Sequence, residues 1–588
     1  MTILVAGPVG VAASPPGGPT PAARQSRFRG IARTVVASLA TGVVVFCSPD
    51  LSWAQQVPLL PTQDPCSNCS QPIAPAQVPV VQGLPAAPAL AAAFRLNDVR
   101  LNGAQALSSD TLRAITQSYI GRDVTLGDLE SLAEAITAQY RARGFFLAQA
   151  VVPVQTVQGG IVEISVIEGR IGKVDVLVAP DAPISEARVR AFLTPLEVGQ
   201  AVSAPAYERA MLLLSDQPGL RVSSALQEGM QTGTTDLTVE VAAAQRWAFS
   251  AEADNQGSKE SGRYRVGGTV RWRSPFGIGD NLDARLMVSN GNALQFGRLS
   301  YEAPLGADGW RAGAGLSRIH YELGGDFTVL GAQGTATVID LSLSYPLIRQ
   351  RGHNLFLRLS ADDKHLTDEL RAFDASARKN VRDVGVGWTW ERRDEWGGGG
   401  YWSSAGIAYR GSLDMRDADV LARDQSAFGH RTDGSYSKLS FQIGRLQAVL
   451  PRHSLYLSVG GQRASNNLDA SEKLALGGAR AVRAYPSGEA LVDQGLIGTA
   501  EWRWSFNEEI TPFLFYDAAR GRLSRTPLAQ ESDNTRNLRG YGVGLSWSRL
   551  GNFSINATLA MRDGTPAART DGGGGGNVRL YVQLQKAF

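Results

Sequence analysis

Cysteine is almost absent from this 588-residue chain. The three present are Cys47, Cys66 and Cys69, so no disulfide framework holds the body that follows them. Histidine is scarce at five residues, and neither a zincin helix nor a G-x-S-x-G elbow occurs, which removes the common hydrolytic constellations. No Walker-type phosphate loop is present either, since the run Gly397 to Gly400 lacks a following Lys-Ser or Lys-Thr. Neither sign of charge dominates, with 58 basic and 55 acidic residues, so composition announces no basic face for nucleic acid. After the leader, no segment stays apolar for the roughly 20 residues a spanning helix needs. These absences point away from an enzyme, a nucleic-acid binder and a helical membrane protein, and no cofactor or metal site is implied. What is abundant is glycine, at 65 residues, which together with aromatic residues suits a β-rich membrane wall.

Residues 1–54 read as an export signal. Arg24, Arg27, Arg29 and Arg33 precede a mostly apolar stretch from Val35 to Cys47, and Ser52-Trp53-Ala54 offers a small-x-small cleavage site. Cys47 follows the bulky Phe46, so no lipid anchor is expected. Residues 55–92 are a linker rich in Pro, Gln and Ala. Within it, Cys66-Ser-Asn-Cys69 is read as a local disulfide or two spare thiols, because one C-x-x-C without histidines is a weak metal signal.

Residues 93–170 and 171–244 read as two copies of one small α+β module. In the first copy, Phe94 to Leu101 alternates as a strand, Ser109 caps a short helix through Ile115, and Thr125-Leu-Gly-Asp128 resembles a capping box. Leu129, Leu132, Ala133, Ile136 and Tyr140 follow helical spacing, Gly144 ends that helix, and Phe145 to Val157 and then Val162 to Val166 read as strands. The second copy repeats the order, with Pro205 in the first turn of its second helix.

From Gln245 onward the period changes to two. Tyr264, Val266, Gly268, Val270 and Trp272 alternate with Arg263, Arg265, Thr269, Arg271 and Arg273, and the scheme recurs at Ile339 to Tyr345, Tyr541 to Trp547 and Phe553 to Met561. A soluble β-sandwich also alternates. Against it stand 344 residues without a clear helical segment, aromatic residues near strand ends, and arginines on the polar face that a dry core could not hold unpaired. The expectation for residues 245–588 is a membrane β-barrel of about 16 antiparallel strands with a wet lumen. Residues 365–381 and 412–435 read as long loops. The last strand alternates from Val578 and stops on Phe588, and with Tyr581 it looks like the signal by which barrel-assembly machinery accepts a client.

These residues resemble the two-partner secretion transporters that export haemolysins and filamentous haemagglutinins. In the first module the likeness rests on Tyr140-Arg-Ala-Arg-Gly144-Phe145, Val152-Pro153-Val154-Gln155 and Gly160 to Glu168-Gly169, which look like a polypeptide-transport-associated (POTRA) domain. By this resemblance Tyr140, Gly144, Phe145, Pro153, Gln155, Glu168 and Gly169 are candidate substrate-binding residues. In the barrel, Val482-Arg483-Ala484-Tyr485 is similar to the tip of the family's inward loop, here about 465–495, and Phe515, Asp517 and Ala519 to its wall motif. The family has glycine where this chain has Ala484 and Ala519, so each departure adds one methyl group. On residue types alone Arg483 and Asp517 could be two independent solvated charges, and the resemblance pairs them. No stable plug helix is expected within residues 55–92. The function implied is recognition and export of a large partner exoprotein, of adhesin or haemolysin type, across the bacterial outer membrane, with the POTRA modules in the periplasm and lipid around the barrel. The alternative is a factor that inserts other barrels into that membrane.

Overall fold

The computed structural model describes residues 93–529, 533–564, 566–570 and 576–588. The export signal, the Pro-rich linker, Cys66, Cys69 and the position of any plug helix lie outside them.

In the first module, Ser108 rather than Ser109 caps α1 (Ser109–Thr116), its hydroxyl accepting from the Thr111 amide. Thr125 caps α2 (Leu126–Ala142) through a reciprocal box, in which the Asp128 carboxylate accepts from the Thr125 amide at 2.7 Å. Leu129, Leu132, Ala133, Ile136 and Tyr140 are all buried on one face of α2. Three strands, β1 (Asp98–Asn102), β2 (Gln149–Val151) and β3 (Ile161–Ile167), lie in the order β1-β3-β2, with β1 parallel and β2 antiparallel to β3. The second module repeats this layout with β4 (Arg170–Val178), α3 (Glu186–Phe192), α4 (Ala204–Ser215), β5 (Leu220–Glu228) and β6 (Thr234–Ala243), in the order β4-β6-β5. Its central strand β6 runs parallel to β4 and antiparallel to β5.

Two of the expected strands are shorter than their alternation suggests. The run Phe94 to Leu101 is broken: Leu96 turns inward, fully buried, and its amide donates to the Arg122 carbonyl outside the main sheet. The run Phe145 to Val157 keeps only Gln149–Val151 in a strand. Pro153 has no N–H for a ladder. Gln155 takes over with its side chain, which donates to the Glu163 carbonyl at 2.7 Å and accepts from the Glu163 amide at 2.8 Å.

The barrel closes with 16 strands. They are β7 (Trp247–Asp254), β8 (Arg265–Arg273), β9 (Asn281–Ser289), β10 (Leu294–Pro304), β11 (Arg311–Glu322), β12 (Ala332–Arg349), β13 (His353–Leu370), β14 (Ala375–Asp394), β15 (Gly400–Met415), β16 (Gly434–Leu450), β17 (His453–Ala464), β18 (Gln494–Trp504), β19 (Ile510–Arg522), β20 (Thr535–Arg549), β21 (Phe553–Arg562) and β22 (Val578–Ala587). Every neighbouring pair is antiparallel, and β22 returns to β7 along only five rungs, Gln583–Ala587 against Asp254–Ser250. Outward positions such as Val266, Leu341, Val386 and Val543 are exposed, whereas their inward neighbours are polar or small. Apart from Trp53 in the leader, every tryptophan lies at the barrel end next to the modules, from Trp247 stacked on Trp272 at 4.9 Å to Trp502, Trp504 and Trp547. Indole rings favour the level where lipid tails meet headgroups, so this ring marks one face of the membrane.

Of the two long loops expected, 365–381 is mostly strand, whereas 412–435 is a loop over most of its length. β13 and β14 pair up to Leu370 and Ala375, leaving the turn Arg371–Asp374, and the second stretch shrinks to residues 416–433 with a short helix at Ala418–Asp424. At 18 and 20 residues, β13 and β14 far exceed the roughly 10 residues needed to cross lipid, so they rise above it. There the outer face turns polar (His365, Arg378, Arg382), which erases the apolar signal without ending the ladder.

The second module is tied to the barrel. Arg349 on β12 forms a two-pronged pair with Asp216 at the end of α4, at 2.7 and 2.8 Å. Arg209 of α4 donates to the Pro346 carbonyl at 2.9 Å, and the Arg351 amide donates to Glu208 at 2.8 Å. Replacing Arg349 by alanine should leave the barrel folded but free the end of α4. Amide exchange there should accelerate about tenfold, the effect of losing ~1.4 kcal/mol; unchanged exchange would mean the docking does not depend on this pair.

Candidate functional site

The segment between β17 and β18, residues 465–493, folds back inside the barrel instead of leaving it. Leu474–Ala475 pairs with Leu491–Val492, making a narrow two-limbed arm. A Cβ on Gly477 would lie 2.7 Å from the Glu489 Cβ, so the limbs approach too closely for a larger residue. Val482 and Tyr485 at the tip are fully buried, and Ala484 nearly so.

Arg483 sits at the centre of the contact. Its Nε and Nη2 donate to the two Asp517 carboxylate oxygens at 2.8 and 2.7 Å, and its backbone amide donates to Asp517 Oδ2 at 3.1 Å. Nη1 donates to Glu501 Oε1 at 2.7 Å, and Arg503 donates to the other Glu501 oxygen at 2.6 Å. The Thr499 hydroxyl donates to Asp517 at 3.0 Å. Two guanidinium groups and two carboxylates make the cluster neutral, and all four residues are buried. The Arg483 guanidinium also lies 3.6 Å from the Phe515 ring centroid. Phe513, Phe515 and Asp517 thus share one inward face, with Leu514 and Tyr516 turned outward. Losing one partner of such a buried cluster costs about 3–5 kcal/mol, because it strands the remaining charge.

The two extra methyl groups find room. A Cβ built on Gly540 would lie 2.4 Å from the Ala484 Cβ, so Ala484 occupies the space a side chain on β20 would need. Cβ atoms on Gly542 and Gly544 would likewise strike the Phe515 and Phe513 rings, at 2.7 and 2.1 Å. β20 therefore presents a bare glycine column inward, on which Gly540 receives the arm and Gly542 and Gly544 receive the two β19 rings. Ala519 joins the apolar cluster of Leu474, Val482, Tyr485 and Leu538.

Other strands hold the arm as well. Tyr581 is buried, its hydroxyl donating to the Tyr485 carbonyl at 2.7 Å, so this member of the expected terminal signal serves the arm. Phe588 is exposed on the outer surface. Glu489 accepts from Arg536 at 2.6 Å and from the Arg569 and Thr570 amides at 2.9 Å, which ties in the loop between β21 and β22. Below the tip lies a cavity of about 1070 Å³ that extends to Ala248, Asn281 and Glu302 near the modules. Its wall carries the ion pairs Arg271–Asp283, Arg285–Glu252 and Arg298–Asp340.

Of the module residues expected to bind substrate, Tyr140, Glu168 and Gly169 are buried, and Gly144, Phe145, Pro153 and Gln155 are half-buried. Tyr140 is fully buried and donates to Glu168 at 2.9 Å. Glu168 also accepts from the Gln105 and Ala106 amides at 2.6 Å and from Arg170 at 2.5 Å. Burial, followed by the bond to Glu168, pushes the Tyr140 phenol well above its ordinary range, so it remains a donor. Phe145 packs edge-on against Tyr140, and Gly144 and Gly169 take φ of 91° and 66°. Tyr140 and Glu168 thus build the module's core and the two glycines its turns, and the Gln155 side chain is committed to Glu163. Pro153 interrupts the ladder beside it. The specific spacing of this set is that of a fold motif. Of the acids and cations that the motifs missed, Glu501 and Arg503 alternate with outward strand residues and Glu489 lies in the arm, but nothing local announces their partners.

Two outcomes test this geometry. Gly540→Ala should loosen the tip, seen as faster amide exchange at Val482–Tyr485, and Ala484→Gly in the same chain should restore it; failure of that rescue would show the methyl clash is not what matters. Glu168→Ala should lower the stability of the first module by roughly 3 kcal/mol, as several buried donors lose their acceptor, measured by urea-dependent proteolysis of that module in the full chain.

A family model described as haemolysin secretion/activation protein ShlB/FhaC/HecB matches residues 233–547, and a ShlB-type POTRA domain model matches residues 94–169. The heme/hemopexin transporter protein HuxB of Haemophilus influenzae strain 86-028NP is 27% identical over 464 residues, 78% of this chain and 81% of that protein. The outer membrane transporter CdiB of Dickeya dadantii strain 3937 is 21% identical over 429 residues, 70% of this chain and 72% of that protein. The solved structure of CdiB from Escherichia coli superposes with a TM-score of 0.69 at 19% identity, covering 87% of this chain and 93% of that one.

Proposed function

Because the chain belongs to the haemolysin secretion/activation family of outer-membrane transporters, whose POTRA modules are periplasmic, we propose that it captures one large exoprotein in the periplasm and passes it through the barrel in two-partner secretion. The observation that carries this reading is the arm latched by Arg483 across a bore that otherwise has room for a chain. A passive porin would need neither the arm nor the modules.

Capture follows from the modules' open sheet edges. Nine residues of β5 run along the outside of its sheet, and among the described residues no strand pairs with its outer side. β4, the opposite edge, is partly occupied, since the Ile171 amide donates to the Gln200 carbonyl at 2.9 Å. An extended segment of exoprotein can add to β5 through main-chain hydrogen bonds, which suits a client recognised before it folds. The ion-paired lumen wall offers such a segment polar contacts without sticky apolar ones. Folding of the cargo outside supplies the drive, so no covalent chemistry is needed.

The cargo is of adhesin or haemolysin type on the motif resemblance; the name of HuxB adds a cargo that handles heme or hemopexin. Co-expression with candidate exoproteins of each type, followed by analysis of the medium, separates these. Arg483→Ala should reduce exoprotein in the medium at least tenfold, on the scale of the buried cluster it disrupts, while the barrel still inserts. Normal release from that variant would refute the role of the arm.

A further inference from the structure

The arm carries a second buried charge cluster, well away from Arg483. A single turn at Ala470–Glu472, capped by the Asp469 side chain, places Glu472 against a separate part of the wall. Glu472 is fully buried. Its Oε1 accepts from Lys364 Nζ on β13 at 2.8 Å, and its Oε2 accepts from Lys438 Nζ on β16. Lys364 also donates to Asp383 on β14 at 2.8 Å, and the Tyr436 hydroxyl donates to the other Asp383 oxygen at 2.5 Å. Two lysines and two carboxylates again sum to zero.

Lys438 is the informative member. It is almost fully buried inside the bore, and among the described residues Glu472 is its one carboxylate partner. A buried ammonium without a counter-charge is costly, so this lysine fits its wall position only while the arm is in place or water fills the bore. Burial opposes the charge on Glu472, but Lys364 and Lys438 outweigh it and hold the carboxyl below its usual range. Next to it, Asp469 pairs with Lys379 of β14 at 2.8 Å.

We propose that Glu472, clasped by Lys364 and Lys438, is a second latch that keeps the arm across the bore, separate from the Arg483 contact. The proposal rests on the reading of the arm as the gate of a protein transporter. The two latches differ in kind. The Arg483 fork is planar and directional, whereas two ammonium groups on one carboxylate act as point charges that tolerate sliding. Water entering the bore can solvate all four groups of the lysine latch once the arm moves. Opening therefore does not strand a charge, although closure without Glu472 does.

Full-length protein in planar lipid bilayers tests this. Glu472→Gln should raise the time-averaged conductance about tenfold or more, since both lysine hydrogen bonds lose their charged acceptor. Lys438→Met, made from the wall side, should do the same, and the double variant should open no further than either single change. Each variant is first checked for heat-dependent mobility on a gel, the sign of a folded barrel. If both single variants conduct like the unaltered protein, or if their effects add in the double variant, the latch is overturned. Should the variants conduct as expected while no exoprotein reaches the medium from the unaltered chain, the latch stands and the transport reading fails. Secretion by the unaltered chain, with conductance unchanged in the variants, leaves transport standing and removes the latch.

Discussion

Lipid offers no partner for a backbone N–H or C=O, so a chain that crosses it in strands must return each hydrogen bond to itself. The closed ring from β7 to β22 meets that demand. Closure at 16 strands has a consequence: the ring is too wide for its own side chains to fill. Everything inside then becomes a question of what occupies the hole. Here the answer is a folded-back arm, fixed by neutral clusters of charge and by an apolar seam over the glycine column of β20. Neutrality matters because each cluster is dry when closed. An excess charge would either hydrate the bore or repel the arm.

Much of this was legible in the sequence. Period-two alternation reports which side chains face lipid, because lipid imposes a uniform demand along the whole perimeter. Helical spacing and caps reported the modules because a helix packed on a sheet buries one stripe and must satisfy its first free amides, with Thr125 and Asp128 as the clearest case. Legibility fell where that demand stopped. Above the membrane, β13 and β14 keep their ladder while the outer face turns polar, so pattern alone reads loop. Within the lumen, alternation says that Glu501 or Lys364 points inward, but not what it meets. Lys364 and Glu472 lie 108 residues apart, and no local rule connects them.

The site motifs show both sides of this limit. The resemblance brought Arg483 and Asp517 together, which residue types alone did not. It did not distinguish residues that act from residues that shape. Tyr140, Glu168 and the two positive-φ glycines are as specific in sequence as the loop tip, yet they build a core. The departure at Ala484 is similar. Read along the chain it is a blemish; across the barrel it is matched by Gly540, a residue with no motif of its own.

The tryptophan ring gives the barrel a lopsided hold on its membrane. Indoles grip one rim, and among the described residues no tryptophan grips the other. The firmer of the two grips is therefore on the inner leaflet, since the far rim offers tyrosine such as Tyr264 in place of indole. Swelling or thinning of the outer leaflet would slide past the tall staves of β13 and β14 without shifting the modules, whose height is set by the same rim that carries their docking contacts.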